Sequence, residues 1–261
     1  MVLLHLVDLA PDLDALRPLG PFFALRPLPA GPADPARALP TLALAYAWPP
    51  GPAAPDGRPD PLAHRVRKVT EALRAPEDRI GASVAQQGLA ARLWSVTLGC
   101  AALNGYVPDL APELLRWDPE ASAPDDLWLT VGRVLPGDAA AVAATVLDGH
   151  LGPLAAALRA RHRIAPGLLR GNAASALAGA ARQLDGWART HGRPDVVARA
   201  SALTAELFTH PLLADTGTGT ASGTGFRRRS CCLYYRVPGG GVCGDCCFTR
   251  SPRSSPRAPS G

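Results

Sequence analysis

Five of the six cysteines in this 261-residue chain fall within seventeen positions near its end: Cys231, Cys232, Cys243, Cys246 and Cys247. Four of them, Cys231, Cys232, Cys243 and Cys246, are spaced C-C-x10-C-x2-C. Three chemistries compete for such a set. A disulfide framework suits small secreted chains with little core. This chain is long, and adjacent cysteines reach disulfide geometry only under strain. A structural zinc ion accepts four thiolates tetrahedrally, and Cys243-x2-Cys246 has a knuckle-like spacing. The vicinal pair does not supply the second C-x2-4-C of a zinc ribbon, and its side chains diverge. Divergent ligands suit a binuclear [2Fe–2S] cluster, which takes four thiolates spread over two irons.

The residues between the two pairs predict how the chain turns back. Leu233 to Val237, with tyrosines and a β-branched residue, reads as a short extended run. Pro238-Gly239-Gly240-Gly241 reads as a turn, whose glycines let backbone N–H groups approach sulfur closely. Arg227, Arg228 and Arg229 precede the first ligand. Guanidinium groups there would offset the negative charge of a thiolate-held cluster, or meet an anionic substrate or redox partner; a solvated basic run is the plain alternative.

Phe226 to Cys246, FRRRSCCLYYRVPGGGVCGDC, resembles the C-terminal signature of the FhuF-like ferric-siderophore reductases, also described as (2Fe-2S)-binding proteins, in their actinobacterial form. In that family the pattern supplies the cluster ligands, which carry over to Cys231, Cys232, Cys243 and Cys246. Cys247 is an additional thiol beside the fourth position and a candidate substitute ligand. Residues 79–94, RIGASVAQQGLAARLW, resemble a helical block of actinobacterial members. Residues 169–177, LRGNAASAL, resemble the family's LWGNxASAL stretch, with Arg170 where tryptophan is usual. Arg170 and Asn172 are therefore the candidate substrate contacts on the body, with helix capping or bridging as the alternative for Asn172. The resemblance covers roughly residues 60–248. It implies a [2Fe–2S] cofactor, a ferric siderophore as substrate, an external cytosolic electron donor and peripheral association with a siderophore importer. The rival readings are a non-catalytic electron carrier or sensor, and a zinc-stabilised siderophore-related binding protein.

The elements that must position these residues are mainly helical. Residues 1–60 are proline-rich and irregular, with 41–48 readable as strand or short helix. Apolar periodicity predicts helices over 62–73 and 80–103, then a short strand over 126–131. Helix resumes over 137–150, is broken or restarted by Gly152-Pro153, and continues over 154–161. Pro166 and Pro194 suit first-turn positions of two further helices, running to 191 and over 196–208. Residues 211–225, rich in Gly and Thr, read as a linker that is either a flexible tie or an insertion at a surface loop. The cluster segment spans 226–248, and 249–261 reads as a disordered tail. The predicted class is mainly α: a helical body over 61–210 with a short strand element and a small C-terminal cysteine-rich [2Fe–2S]-binding segment.

Net charge is +5, and it is localised. Phe226 to Gly261 holds seven arginines against Asp245, whereas the rest holds twenty Lys/Arg against twenty-one Asp/Glu. No recognition motif accompanies the basic segment, so nucleic-acid binding is not expected. The apolar start, interrupted at Asp8, is a poor signal peptide, and reduced thiols suit a cytoplasmic address. No glycine-rich nucleotide fingerprint is present, so electrons must come from outside the chain. Trp94, Trp117, Trp128 and Trp187, with His150 and His162, are expected in core or surface roles. Cys100 is expected to be a buried small hydrophobe.

Overall fold

The computed structural model describes residues 8–29, 31, 34–49, 59–219, 225–250 and 252. The apolar start before Asp8, part of the second proline run, the middle of the Gly/Thr stretch and most of the tail lie outside the described residues. Eight helices are described: α1 (Ala10–Asp14), α2 (Leu42–Ala47), α3 (Pro61–Ala72), α4 (Asp78–Asn104), α5 (Ala139–Ala143), α6 (Gly152–Arg161), α7 (Pro166–Thr190) and α8 (Pro194–Leu207). Their boundaries follow local chemistry. Asp60 caps α3 by accepting from the N–H groups of Leu62 and Ala63. Gly105, at φ 78°, ends α4 in the left-handed conformation that glycine adopts freely. Pro166 and Pro194 occupy first-turn positions, where a missing N–H costs nothing. Residues 41–48 resolve as helix, because the Thr41 hydroxyl accepts from the N–H of Leu44 and caps α2.

The predicted break at Gly152-Pro153 is not a break. α5 runs through a π-helical stretch, Ala144–Leu151, straight into α6. A proline inside an α-helix lacks the N–H for one bond and clashes with the carbonyl four residues back; here Pro153 stands in the first turn of α6, directly after the wider π turn. The combined helix Ala139–Arg161 is long and apolar enough to cross a membrane, yet Val142, Val146, Leu154 and Leu158 pack into the core.

α4 is the central helix. It packs against α7 along its length and also meets α3 and α8. Alanines 173, 174, 176, 178, 180 and 181 of α7 are buried, and such small side chains let two helix backbones approach. The buried Trp94 indole donates to the carbonyl of Ala173 at 3.0 Å. The short strands form small sheets at the periphery. β1 (Arg26–Pro27) pairs in parallel with β4 (Leu127–Leu129), which pairs antiparallel with β3 (Leu115–Trp117). β2 (Tyr106–Pro108) pairs antiparallel with β5 (Val134–Pro136). The strand predicted over 126–131 is β4.

Two buried ion pairs brace this body. Arg92 donates to Asp126 at 2.9 Å and to the carbonyls of Pro21 and Phe22. Arg161 donates to Asp60 at 2.6 Å and to the carbonyl of Trp48. His150 is fully buried and neutral by geometry: its Nε2 donates to the Leu110 carbonyl, so Nδ1 accepts from the Tyr46 hydroxyl. Cys100 is buried in α4, where desolvation pushes its thiol up to about 12. Both are core residues.

Candidate metal centre

The cysteine segment is attached through a hairpin. β6 (Gly217–Thr218) pairs antiparallel with β7 (Arg227–Arg228), so the two ends of the Gly/Thr stretch lie side by side. Side chains alternate along a strand. Arg227 accordingly points to solvent, whereas Arg228 is buried against α7. Of the three consecutive arginines, the middle one reaches the thiols: its Nη2 donates to Cys243 Sγ at 2.7 Å. Its Nη1 donates to Asn172 Oδ1 at 2.6 Å. Burial opposes the Arg228 charge, but the Cys232 and Cys243 sulfurs beside it hold the guanidinium above its ordinary value.

A continuous polar network carries this contact into the helical body. Asn172 on α7 donates to both the carbonyl and the hydroxyl of Ser83 on α4, each at 3.0 Å. The Ser83 hydroxyl in turn donates to the carbonyl of Cys232 at 2.8 Å. Gln86, one turn on, donates to the carbonyl of Leu169. The two blocks 79–94 and 169–177 thus face each other and together seat the cysteine segment. Gly171 permits this close approach, because a Cβ there would lie 2.1 Å from Ser230 Oγ.

The far end of the segment is tied down by Asp245, the lone acid among the seven arginines. Its carboxylate accepts from the Ser175 hydroxyl at 2.6 Å and pairs with Arg182 at 3.1 Å. Its carbonyl accepts from the N–H of Arg228. Ser83, Ser175, Arg182 and Asp245 were not singled out from sequence. Ser83 and Ser175 lie inside the two family-like blocks, and Asp245 is an acid standing alone in a basic stretch; those were the available signals.

The predicted extended run 233–237 is instead a 3₁₀ turn, Tyr234–Arg236. Leu233 takes φ 70°, and its N–H donates to Cys231 Sγ at 3.2 Å. A local amide-to-sulfur bond therefore outweighs the strand preference of the aromatic residues. The glycine turn forms as expected, with Gly239 at φ 72° and Gly240 against backbone; a Cβ on Gly240 would stand 2.4 Å from the Tyr234 carbonyl. The described amide donors to sulfur are Leu233 and Phe248, the latter to Cys246 Sγ at 3.4 Å, and not the glycines.

All six cysteines are free thiols. Cys232 Sγ lies 3.6 Å from Cys243 Sγ. Hydrogen bonding with Cys232 lowers the Cys231 thiol below its ordinary value, and it raises that of Cys243, which burial raises further while Arg228 pulls the other way. Burial raises Cys247 as well, and its thiol interacts with both Cys246 and Cys231. Among the described residues no three donors gather tightly enough to form a finished metal site. The fit to a metal centre lies in the donor set, four thiols on one short segment with Cys232 and Cys243 already brought together, which suits the four-cysteine ligation of a [2Fe–2S] cluster. Arg228 Nε and Ser230 Oγ, both buried, have no hydrogen-bond partner among the described residues. They are donors of the kind that sulfur atoms of a cluster accept from.

Asn172 has no exposed surface and is bonded to Ser83 and Arg228, so in this structure it braces the cysteine segment. Arg170 is exposed and lines a small recess with Arg229 and Asp215. One of the cavities that adjoin a thiol is a cleft of about 400 Å³ between α4, α7 and the 19–23 segment. Cys243 and Asp245 form one end, Gln87, Ser95 and Gln183 supply neutral polar groups, and Phe22 supplies an apolar wall.

With this geometry the segment has the features of an iron–sulfur binding module. A family model, the FhuF 2Fe-2S C-terminal domain, matches residues 228–248, from Arg228 through all five clustered cysteines. The match supports a metal-binding, iron–sulfur assignment for this segment and likeness to the FhuF family there; the helical body lies outside it. No curated protein matches the chain.

Proposed function

We propose that the chain is a ferric-siderophore reductase of the cytoplasm, in which Cys231, Cys232, Cys243 and Cys246 hold a [2Fe–2S] cluster. The observation that carries this reading is the placement of Cys243: it belongs to the family-matched motif and also forms one end of an open cleft. When bound, the cluster supplies one-electron transfer.

The chain's own residues do the rest. Arg228 offsets the charge of the thiolates and, being held by Asn172, keeps a fixed position beside Cys243. A cation near a cluster favours its more negative, reduced form, so Arg228 raises the potential. The N–H groups of Leu233 and Phe248 act in the same direction through sulfur. The cleft brings the ferric complex near Cys243 without a covalent step. Siderophores hold Fe(III) through hard oxygen donors, and Fe(II) binds such donors far more weakly. One electron is enough to loosen the metal, and the chain needs no acid, base or nucleophile at the substrate.

The test is a visible and EPR spectrum of anaerobically purified protein, before and after dithionite, with iron and sulfide assays. About two irons and two sulfides per chain, and an EPR signal that appears on reduction and is lost on adding a ferric siderophore, are expected. A colourless protein with one zinc per chain, still without a cluster after anaerobic reconstitution, sinks the reading.

A further inference from the structure

The solvent face of the cysteine segment differs from the rest of the surface. Half of the large apolar side chains exposed among the described residues belong to it: Tyr234, Val242 and Phe248, at 37%, 42% and 37%. Val242 and Phe248 flank a shallow recess that also includes Cys243 and Cys246. Arg227 and Arg182 stand on the same recess. Arg227 is held there by its bond to the carbonyl of Cys247, with its surface still exposed. The recess shares Arg182, Cys243, Gly244 and Asp245 with the cleft described above, so the two spaces meet at the Arg182–Asp245 pair.

We propose that this recess is the docking surface for an acidic one-electron carrier protein, one whose own redox centre is ringed by carboxylates. The inference rests on the cluster reading given under Proposed function. Three observations choose the occupant. Residues 225–250 carry five arginines against Asp245 whereas the chain before Phe226 is close to neutral, which steers an acidic partner to this segment. Exposed aliphatic and aromatic side chains beside two thiols give a small apolar contact rimmed by the Arg227 cation and the Arg182–Asp245 pair, the make-up of weak redox encounters burying less than about 1,200 Å². The recess is too open to enclose a small ligand, which ordinarily buries most of its surface, and the neighbouring cleft offers that enclosure. The electron balance is simple: the carrier loses one electron at this face, and Fe(III) in the cleft gains one as it becomes Fe(II).

The experiment uses full-length protein whose iron and sulfide content has been measured first. An oxidised acidic plant-type [2Fe–2S] ferredoxin is the probe, and its affinity is followed by calorimetry or by anisotropy of a labelled ferredoxin. Binding is expected at low salt, weakening about tenfold between about 20 and about 200 mM salt. Arg227→Glu is expected to weaken it about tenfold and Val242→Glu by a similar factor, with metal content retained. No binding by cluster-loaded protein at low salt, or affinity unchanged in both variants, overturns the proposal while leaving the cluster reading intact. Equal competition by a short DNA duplex also overturns it, since that would show a generic basic patch. A chain that takes up no iron and sulfide overturns the reading under Proposed function, and this inference with it.

Discussion

In the helical body, Leu93, Trp94, Leu98, Val146, Leu177 and Leu184 are closed off from solvent, and each such side chain contributes roughly 1.5–3 kcal/mol by burial. Between Phe226 and Phe248 the buried apolar residues are Phe226, Cys232, Val237 and Cys246, and two of those are thiols. The segment is held instead by polar bonds to α4 and α7: Arg228 to Asn172, Ser83 to the Cys232 carbonyl, and Ser175 and Arg182 to Asp245. Net contributions of such bonds are about 0.5–1.5 kcal/mol each, more where a charge takes part. The body holds most of the apolar core. The segment holds little of it, and in the cluster reading metal binding supplies the remainder of its ordering energy.

The sharpest way to break that comparison is to remove a ligand. Cys232→Ser is expected to abolish iron and sulfide uptake and to expose the segment to trypsin at Arg227, Arg229 and Arg236. The helical circular-dichroism signal of the body should remain. The same assay ranks the fourth ligand: Cys246→Ser should lose the cluster, whereas Cys247→Ser should keep it. Loss of helix in Cys232→Ser would show that the body depends on the segment.

The converse perturbation targets the body alone. Asp126→Ala leaves Arg92, 1% exposed in its side chain, without its carboxylate partner. Stranding a buried charge costs about 3–5 kcal/mol, so the denaturation midpoint should fall steeply with an unchanged slope. Under native conditions the spectrum of the iron–sulfur centre should not change, because Arg92 and Asp126 belong to the side of α4 that meets the 21–22 segment. A spectrum that shifts without unfolding would contradict the separation of the two regions.

Acid should likewise act first on the body. Burial lowers the His150 pKa from 6.5 to about 4. The unfolded chain therefore binds a proton between these values that the folded chain does not, and stability rises with pH across this window. The contribution is fully present above about pH 6.5 and is lost as pH falls toward 4, at most about 3 kcal/mol in all. Thermal melts at pH 7 and pH 5 should show this loss, and His150→Leu should flatten it.

How much of this was legible from sequence depended on the range of the causes. Helices α3, α4, α7 and α8 were readable because their caps, first-turn prolines and apolar periodicity are local. The cysteine spacing was readable for the same reason. The 3₁₀ turn at Tyr234–Arg236 was not, because a sulfur two residues away overrode the strand preference of its side chains. The uninterrupted passage through Gly152-Pro153 was hidden because a π stretch leads directly into the turn that holds the proline. The inward arginine among 227–229 needed a pairing partner, β6, before the alternation had a phase. Asn172 stood in a motif that implied substrate contact, and only the packing of α7 on α4 shows that it is enclosed.

That enclosure makes Asn172 a residue where both regions can be perturbed together. Its Oδ1 accepts from Arg228, and its Nδ2 donates to Ser83, which itself donates to the Cys232 carbonyl. Asn172→Ala removes these bonds and leaves Arg228 Nη1 buried without an acceptor, a cost of about 1–3 kcal/mol. The loss of stability is the smallest of the set, but its signature is particular. With its anchor gone, Arg228 is no longer fixed beside Cys243, and the midpoint potential should move to a more negative value because the reduced form loses a neighbouring cation. Arg228→Gln should shift the potential in the same direction and further, whereas Asp126→Ala should not shift it at all. An Asn172→Ala protein with lower stability and an unmoved potential would mean that Arg228 is held by the sulfurs alone, and that the body supports the segment without tuning it.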